Sequence, residues 1–368
     1  MKLAKQQRFG DTGINVSPII VGCMSFGSKE IAGWTEDNEE KVFEVLKYCY
    51  DHGLRTFDTA DFYSNGDSEI LLGKFLKKYN IRRETVVILS KIFFAVDDTT
   101  NFNIYKEAKD DLSKLHMINQ QGLSRKHILA GVKNSVRRLG TYIDVLQIHR
   151  FDPNTPIRET MKALNDVIED GDARYIGASS MRPTQFVEMQ SVAEKNGWFK
   201  FVNMQSCYNL LYREDERDLN VYCQEHNIAL TPWSPNAKGI LTRPLGTITE
   251  RFTKDAIINV FGLNDLPPAD TEIVNRVQKL SEKKGIPMAV LSTAWVYQKG
   301  CFPIVGLSKI ERVDDALAAL EVTFTEAELD YLEEPYIPKK FVYTYMKLFV
   351  TEAANVCRAA TSNVCSVY

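Results

Sequence analysis

The chain has 368 residues, of which 44% are hydrophobic and 25% charged, and its 45 basic and 48 acidic residues give a net charge of −3. This composition excludes a wholly disordered, collagen-like or coiled-coil chain, and it gives no reason to expect nucleic acid or a membrane surface as the main partner. The N-terminus lacks the apolar core of a signal peptide, and the seven cysteines show no metal-ligand spacing. We therefore expect a cytoplasmic protein with reduced thiols and no metal site.

Short apolar runs rich in β-branched residues predict eight strands. Most of these runs are continuously hydrophobic instead of alternating, which is typical of strands buried on both faces of a parallel sheet. The predicted strands are 19–22, 56–57, 86–90, 145–148, 175–178, 202–205, 230–232 and 302–305.

Amphipathic helical patterns fill the intervals between the strands. Candidate N-caps are Asp67 or Ser68, Ser124 and Thr155, and glycine follows several of the predicted C-termini. The predicted helices are 38–52, 68–79, 124–139, 156–169, 183–196, 214–226, 272–284, 287–299 and 310–320.

This alternation predicts an α/β fold with a parallel sheet and helical crossovers. We favour a closed (β/α)8 TIM barrel over a doubly wound sheet, because no linker divides the chain and no G-x-G-x-x-G motif is present. A turn at 10–13 predicts an N-terminal β-hairpin, and the segments 93–123 and 236–269 predict long loops at the C-terminal face of the barrel. A single domain is expected over 1–368, with a core at 8–335 and a tail at 336–368.

Four ionisable residues follow successive predicted strands. Asp58 and Tyr63 come after the second strand, Lys91 after the third and His149 after the fourth. Because the C-terminal ends of barrel strands converge on one site, these side chains are expected to meet there. Each position alone is more often a cap, a packing residue or a solvated charge, but four such positions on consecutive strands favour a catalytic site.

Five motifs in order resemble those of the aldo-keto reductases, and the similarity extends over about residues 8–335. Within that superfamily the chain is most similar to the fungal aryl-alcohol dehydrogenase branch. The resemblance implies a (β/α)8 barrel that binds NADPH or NADP⁺ and reversibly reduces aldehydes or ketones to alcohols. The motifs are GLRTFDTA at 53–60, DVLQIH at 144–149, IGASS at 176–180, TPWSP at 231–235 and PIVGLSK at 303–309.

The resemblance also implies a catalytic tetrad of Asp58, Tyr63, Lys91 and His149. Tyr63 would donate the proton to the carbonyl oxygen, but free tyrosine has a pKa near ~10. The Lys91 cation is expected to lower the pKa of Tyr63, and Asp58 is expected to hold Lys91 in place. His149 would orient the carbonyl.

Cofactor contacts follow from the same resemblance. Trp233 matches the position that stacks on the nicotinamide, and Ser308, Lys309 and Arg312 at a helix start suit a 2′-phosphate, so NADPH is favoured over NADH. The matching positions are Gly22, Cys23, Met24, Asp58, Ser179, Ser180, Gln205, Trp233, Ser234, Pro235, Ala237, Gly239, Leu241, Gly306, Ser308, Lys309 and Arg312.

The expected substrate is a small carbonyl compound, either an aromatic or an aliphatic aldehyde. Contacts are expected from Trp34, Phe62, Phe93 and His149, with Phe94 and Tyr212 as further aromatic residues near strand ends. Two alternatives remain. One is a cofactor-binding sensor module on the same fold with little turnover, and the other is a Schiff-base aldolase with Lys91 as its nucleophile.

Overall fold

A computed structural model describes residues 3–97, 115–247, 258, 263 and 265–341 of the chain. Parts of both long loops lie outside these residues, as does the C-terminal tail beyond residue 341, including most of an apolar run at 341–350.

Eight parallel strands form one sheet in the order β10-β3-β4-β5-β6-β7-β8-β9, with the hairpin β1–β2 before it. The amide of Phe302 donates to the carbonyl of Leu230 at 2.8 Å, just before β10. The amide of Ile304 donates to the carbonyl of Pro232 at 2.9 Å, and these two bonds join β10 to the β9 segment. The predicted (β/α)8 barrel and its N-terminal hairpin are confirmed. The strands are β1 Gln7–Arg8, β2 Asn15–Val16, β3 Ile20–Gly22, β4 Thr56–Asp58, β5 Val87–Ile92, β6 Ile143–Ile148, β7 Ala173–Ser179, β8 Phe201–Gln205, β9 Ala229–Leu230 and β10 Ile304–Val305.

Helices pack around the outside of the strands, and the main apolar core lies between the two layers. Ser124 caps its helix as predicted, since its side chain accepts from the amide of His127. The helices in the described residues are α1 Glu39–Asp51, α2 Asp67–Lys78, α3 Arg125–Leu139, α4 Ile157–Glu169, α5 Pro183–Asn196, α6 Leu219–Glu225, α7 Pro268–Lys284, α8 Met288–Gln298, α9 Ile310–Ala319 and α10 Glu326–Glu333.

Several helix boundaries differ from the predictions. The N-cap of α2 is Gly66 with a φ of 100°, and neither Asp67 nor Ser68 caps it. The Thr155 hydroxyl donates to Asp152 at 2.7 Å and does not cap α4. The segment predicted as one helix at 214–226 divides into a 3₁₀ turn and α6. Helix α10 was not predicted, although Thr325 and a glutamate three residues on form its capping box.

The two ends of the barrel interior differ in chemistry. At the N-terminal end the hairpin residue Phe9 is fully buried and packs edge-on against Phe302, with ring centroids 5.6 Å apart. Toward the C-terminal end the register places Lys91 beside Gln147, and Gln147 beside Gly177. The interior is therefore apolar at the end that the hairpin covers and polar where the candidate site lies.

None of the helices within the described ranges has the length and hydropathy that a membrane crossing requires.

Candidate active site

The side chains of Asp58, Lys91 and Tyr63 meet inside the C-terminal end of the barrel. The Lys91 Nζ donates to Asp58 Oδ1 at 2.6 Å and to the Tyr63 hydroxyl at 3.2 Å. It also donates to the Thr59 carbonyl at 2.8 Å, so all three of its protons have acceptors. Lys91 is fully buried, and these contacts replace the water that its ammonium group would otherwise bind. We refer to these three side chains as the Asp58–Lys91–Tyr63 cluster.

A strained turn after β4 positions Tyr63. Ser64 and Asn65 have φ values of 50° and 54°, and Gly66 has a φ of 100°, which is left-handed backbone. The Asn65 side chain stabilises the turn, because its Nδ2 donates to the Asp97 carbonyl at 2.6 Å and its Oδ1 accepts from the Asp97 amide at 3.0 Å. The turn carries the Tyr63 phenol back over the end of the strand.

Charge and burial act in opposite directions within the cluster. Burial raises the pKa of Tyr63, and Lys91 opposes that rise, so the net direction is upward and not downward as the sequence suggested. Burial works to lower the pKa of Lys91, but Asp58 and Tyr63 outweigh it and the pKa is raised. Lys91 is therefore an ammonium ion at neutral pH, which makes it a poor Schiff-base nucleophile.

His149 follows β6 and faces the cluster. Its ring centroid lies 5.9 Å from that of Tyr63, and burial holds the pKa of His149 well below its usual range, with further contributions from the cations of Arg150 and Lys91. The imidazole is thus neutral, and its Nδ1 is buried without a hydrogen-bond partner in the described part of the chain. A neutral ring of this kind can donate one hydrogen bond or accept one without adding charge.

Aromatic rings surround His149. The ring centroids of Phe62 and Phe94 lie 5.0 and 5.2 Å from that of His149 and 4.6 Å from each other. Phe93 was expected at the substrate pocket, but it is buried in the main apolar core and contacts Phe94 edge-on. Trp34 is half-buried in the loop before α1. The regular strand β5 ends at Ile92, just before these two phenylalanines, and Phe94 instead of Phe93 contacts His149.

The residues proposed for the nicotinamide lie at the ends of β7 to β9. The Trp233 Nε1 donates to Ser180 Oγ at 3.1 Å, and Ser180 Oγ is also 3.1 Å from Ser179 Oγ. Ser180 has a φ of 51°, and its amide donates to the carbonyl of Gln205. The Nε2 of Gln205 donates to Asp58 Oδ2 at 2.8 Å, so this side chain contacts the cluster directly.

The loop after β9 has an unusual backbone. Ser234, Ala237 and Lys238 have φ values of 55°, 45° and 56°, and Gly239 has a φ of 100°. A Cβ at Gly239 would lie 2.9 Å from Arg243 Nη2, so glycine lets that guanidinium approach the backbone. Lys238 and Arg243 were not predicted, and they give the loop the positive charge that suits a pyrophosphate. Two other predicted residues of this loop, Pro235 and Leu241, are buried.

The remaining predicted cofactor positions are at β3 and after β10. Gly22 ends β3, where a Cβ would lie 3.1 Å from a methyl carbon of Ile304. Burial raises the pKa of the Cys23 thiol, and Met24 follows it in the same 3₁₀ turn. Gly306 is exposed in the loop that leads to α9.

The start of α9 combines a hydroxyl with two cations. Arg312 Nη1 donates to Ser308 Oγ at 2.9 Å, and Lys309 is the exposed N-cap residue of the helix. Together with the positive end of the helix dipole, these groups suit a phosphate. The donor set at α9 and in the loop after β9 therefore fits an anionic dinucleotide.

Sequence reasoning missed three buried polar residues beneath the cluster. Gln147 lies in β6, Asn203 in β8 and Thr231 just after β9, and all three are fully buried. A polar residue within an otherwise apolar strand is the signal that could have identified them, since a buried amide requires partners.

The chain is similar to known proteins over most of its length. A model of the Aldo/keto reductase family matches residues 18–337. A Saccharomyces cerevisiae protein provisionally named an aryl-alcohol dehydrogenase is 56% identical over 340 residues, covering 92% of this chain and 99% of that protein. A Schizosaccharomyces pombe protein with the same provisional name is 50% identical over 333 residues, covering 89% and 95%. The versiconal hemiacetal acetate reductase of Aspergillus parasiticus is 48% identical over 338 residues, covering 90% and 97%.

Proposed function

The chain belongs to the aldo/keto reductase family, and we propose that it is an NADPH-dependent enzyme that reversibly reduces aldehydes or ketones to alcohols, with Tyr63 as general acid. One observation carries the proposal: a buried ammonium, Lys91 Nζ, contacts both the Asp58 carboxylate and the Tyr63 hydroxyl. A phenol with a cation beside it can release its proton at lower cost than a phenol buried alone.

The protein residues supply the proton transfer and the positioning. As negative charge develops on the carbonyl oxygen, the Tyr63 hydroxyl donates its proton to that oxygen, and Lys91 stabilises the tyrosinate that remains. The neutral His149 orients the carbonyl by a hydrogen bond. Because burial raises the pKa of Tyr63, the hydroxyl stays protonated over the neutral range, which suits the reductive direction.

The bound cofactor would supply the hydride for the carbonyl carbon. Ser179, Ser180 and Trp233 would hold its nicotinamide end, the loop after β9 its pyrophosphate, and the start of α9 its 2′-phosphate. Arg312 and Lys309 at that helix start are the reason to favour NADPH over NADH.

The aromatic rings near His149 favour an aromatic or aliphatic aldehyde as substrate. Two relatives are named as aryl-alcohol dehydrogenases and one as a reductase of a hemiacetal acetate, which is consistent with carbonyl reduction. We place the reaction in the cytoplasm, a reducing compartment that suits the five free, buried cysteines of the described residues.

The Tyr63→Phe variant tests the acid role. It removes the proton donor and leaves the ring, so NADPH affinity should be retained while turnover of benzaldehyde falls about 100- to 10,000-fold. Fluorescence titration and absorbance at 340 nm measure the two quantities on the same sample. Near-normal turnover would exclude Tyr63 as the acid. Tight NADPH binding by the unmodified protein without turnover of any aldehyde would favour the sensor alternative.

The Arg312→Leu variant tests the choice of cofactor. Loss of a charged hydrogen bond to phosphate is expected to raise the Kd for NADPH about 10- to 100-fold. The Kd for NADH should change little, since NADH has no 2′-phosphate. The matched control is Arg158→Leu, which removes an arginine from α4 at an exposed position. Equal weakening of both nucleotides would contradict the 2′-phosphate assignment.

A further inference from the structure

A chain of buried amide side chains runs beneath Asp58, and the mechanism proposed above does not use it. Asp58 Oδ1 accepts from Lys91, while Oδ2 accepts from Gln147 Nε2 at 3.2 Å and from Gln205 Nε2 at 2.8 Å. Each carboxylate oxygen therefore has its own donors, and the plane of the carboxylate is fixed from below.

The orientation of the Gln147 amide is determined by its other neighbours. Its Oε1 accepts from Gln205 Nε2 and from Asn203 Nδ2, both at 2.9 Å. Asn203 Nδ2 also donates to Thr231 Oγ1 at 2.9 Å. A flipped Gln147 amide would point its N–H groups at those two donors, so its Nε2 must face Asp58.

Burying these hydrogen-bonded side chains carries a desolvation cost that a role in packing alone does not explain. Gln147, Asn203 and Thr231 are fully buried, and apolar side chains of similar size would fill the same space without desolvating amides. Gly177 supports the same arrangement, because a Cβ there would lie 1.8 Å from Asn203 Oδ1. The two amide N–H groups that reach Asp58, from Gln147 and Gln205, both donate to Oδ2 of the carboxylate that holds Lys91.

We propose that Gln147 is a positioning residue: it holds Asp58 Oδ2 so that Oδ1 faces Lys91, and Lys91 in turn faces the Tyr63 hydroxyl. Asn203 acts through Gln147 by holding its amide in the required orientation. The inference deepens the proposed function and rests on it.

Two substitutions separate positioning from packing. Gln147→Glu is nearly isosteric, but its carboxyl group must be protonated to donate to Asp58. When that group ionises, it places a second negative charge beside Asp58, and this charge makes the tyrosinate harder to form. The pH dependence of kcat/KM for alcohol oxidation, which requires the tyrosinate, should shift upward by about one pH unit. Gln147→Met removes both hydrogen-bonding roles, and kcat should fall about 10- to 100-fold while KM stays within about twofold.

The control lies on the same strand. Asp144 is the second residue of β6, where it pairs with Arg83 at 2.6 Å and accepts from the Ile88 amide. Asp144→Asn should lower the Tm without moving the pH profile. A Gln147→Glu profile that coincides with the wild-type one, after correction for folded fraction, would overturn the proposal. Because Gln147→Glu is close to isosteric, this test remains if Gln147→Met does not fold.

A double-mutant cycle tests whether Asn203 acts through Gln147. Asn203→Leu alone should lower kcat, but it should cause little further loss in the Gln147→Met background. Additive losses would contradict the order of action. Failure of the proposed function and failure of this inference give different results. A wild-type protein that neither oxidises nor reduces any substrate refutes the proposed function. An active wild type, an inactive Tyr63→Phe variant and an unshifted Gln147→Glu pH profile refute only this inference.

Discussion

Two buried ion pairs lie on opposite faces of β5, and they have different surroundings. Inside the barrel Lys91 pairs with Asp58 at 2.6 Å, and outside it Arg138 of α3 pairs with Glu69 of α2 at 2.7 Å. Neighbouring strand residues point to opposite faces, so Ser90 donates to Glu69 while Lys91 donates to Asp58. All four charged side chains are at most 5% exposed.

The two ion pairs differ in the further groups that hydrogen-bond to them. Arg138 Nη2 donates to the Ser135 hydroxyl at 3.1 Å and Glu69 accepts from Ser90, so the outer pair is completed by groups that do not titrate. The inner pair is completed by the Tyr63 phenol at the mouth of the barrel. Burial and ion pairing are thus shared by the outer pair and the candidate catalytic one. The two differ in the hydroxyl to which the cation donates, which is a serine hydroxyl for Arg138 and a titratable phenol for Lys91.

Removing the cation from the inner pair should abolish most of the activity, whereas removing it from the outer pair should lower stability and leave activity per folded molecule near normal. Lys91→Met is expected to lower turnover about 100- to 10,000-fold, because Tyr63 loses the charge that stabilises its anion. Arg138→Met leaves Glu69 buried without its counter-ion and should destabilise the fold by about 3–5 kcal/mol, with near-normal turnover per folded molecule. Urea unfolding and turnover normalised to folded protein measure both. If Arg138→Met lost activity while fully folded, the distinction would fail.

A smaller effect is expected at Asp61, which lies near the outer pair. Burial, together with the charge of Glu69, raises the pKa of Asp61 well above its usual range, and the opposing charge of Arg138 does not offset this rise. The folded protein therefore holds a proton here that the unfolded chain releases above about pH 4. Stability should fall as pH rises from about 4 toward the folded pKa, by up to about 1.4 kcal/mol per pH unit.

Asp61→Asn removes this titration and keeps the shape of the side chain. The free energy of unfolding of the variant minus that of the wild type should be larger at pH 8 than at pH 5, as measured by urea unfolding at the two pH values. Asp11→Asn, at an exposed position in the hairpin turn, is the control. The same stability difference at both pH values would show that Asp61 does not bind a proton in the folded state.

The strands and the positions of the candidate catalytic residues could be predicted because both depend on local sequence. Apolar runs, most of them continuous, identified every barrel strand, and a polar residue after such a run is visible without knowledge of its neighbours. The turn that carries Tyr63 was not predictable, since Ser64 adopts left-handed backbone that serine does not favour. The contacts with Asp97 that stabilise it come from the next loop, more than 30 positions along the chain.

Contacts across the barrel were also beyond prediction. Gln147 and Asn203 are polar residues in apolar strands, but their partners come from β4 and the end of β9, which are distant in sequence. Phe93 and Phe94 are adjacent phenylalanines, and their directions are set by how the chain leaves β5. Whether the pKa of Tyr63 is raised or lowered likewise depends on burial, which a sequence does not reveal.

The closure of the barrel has a consequence for how the chain is made. Ile20 of β3 pairs with Ile304 of β10, and the amide of Asp11 in the hairpin donates to the carbonyl of Asn227. On the ribosome, β3 emerges long before β10 is translated. The edge of β3 that pairs with β10 therefore stays unpaired through most of synthesis. Such long-range pairing is slow to form, and we expect the nascent chain to depend on chaperones until its final strand is released.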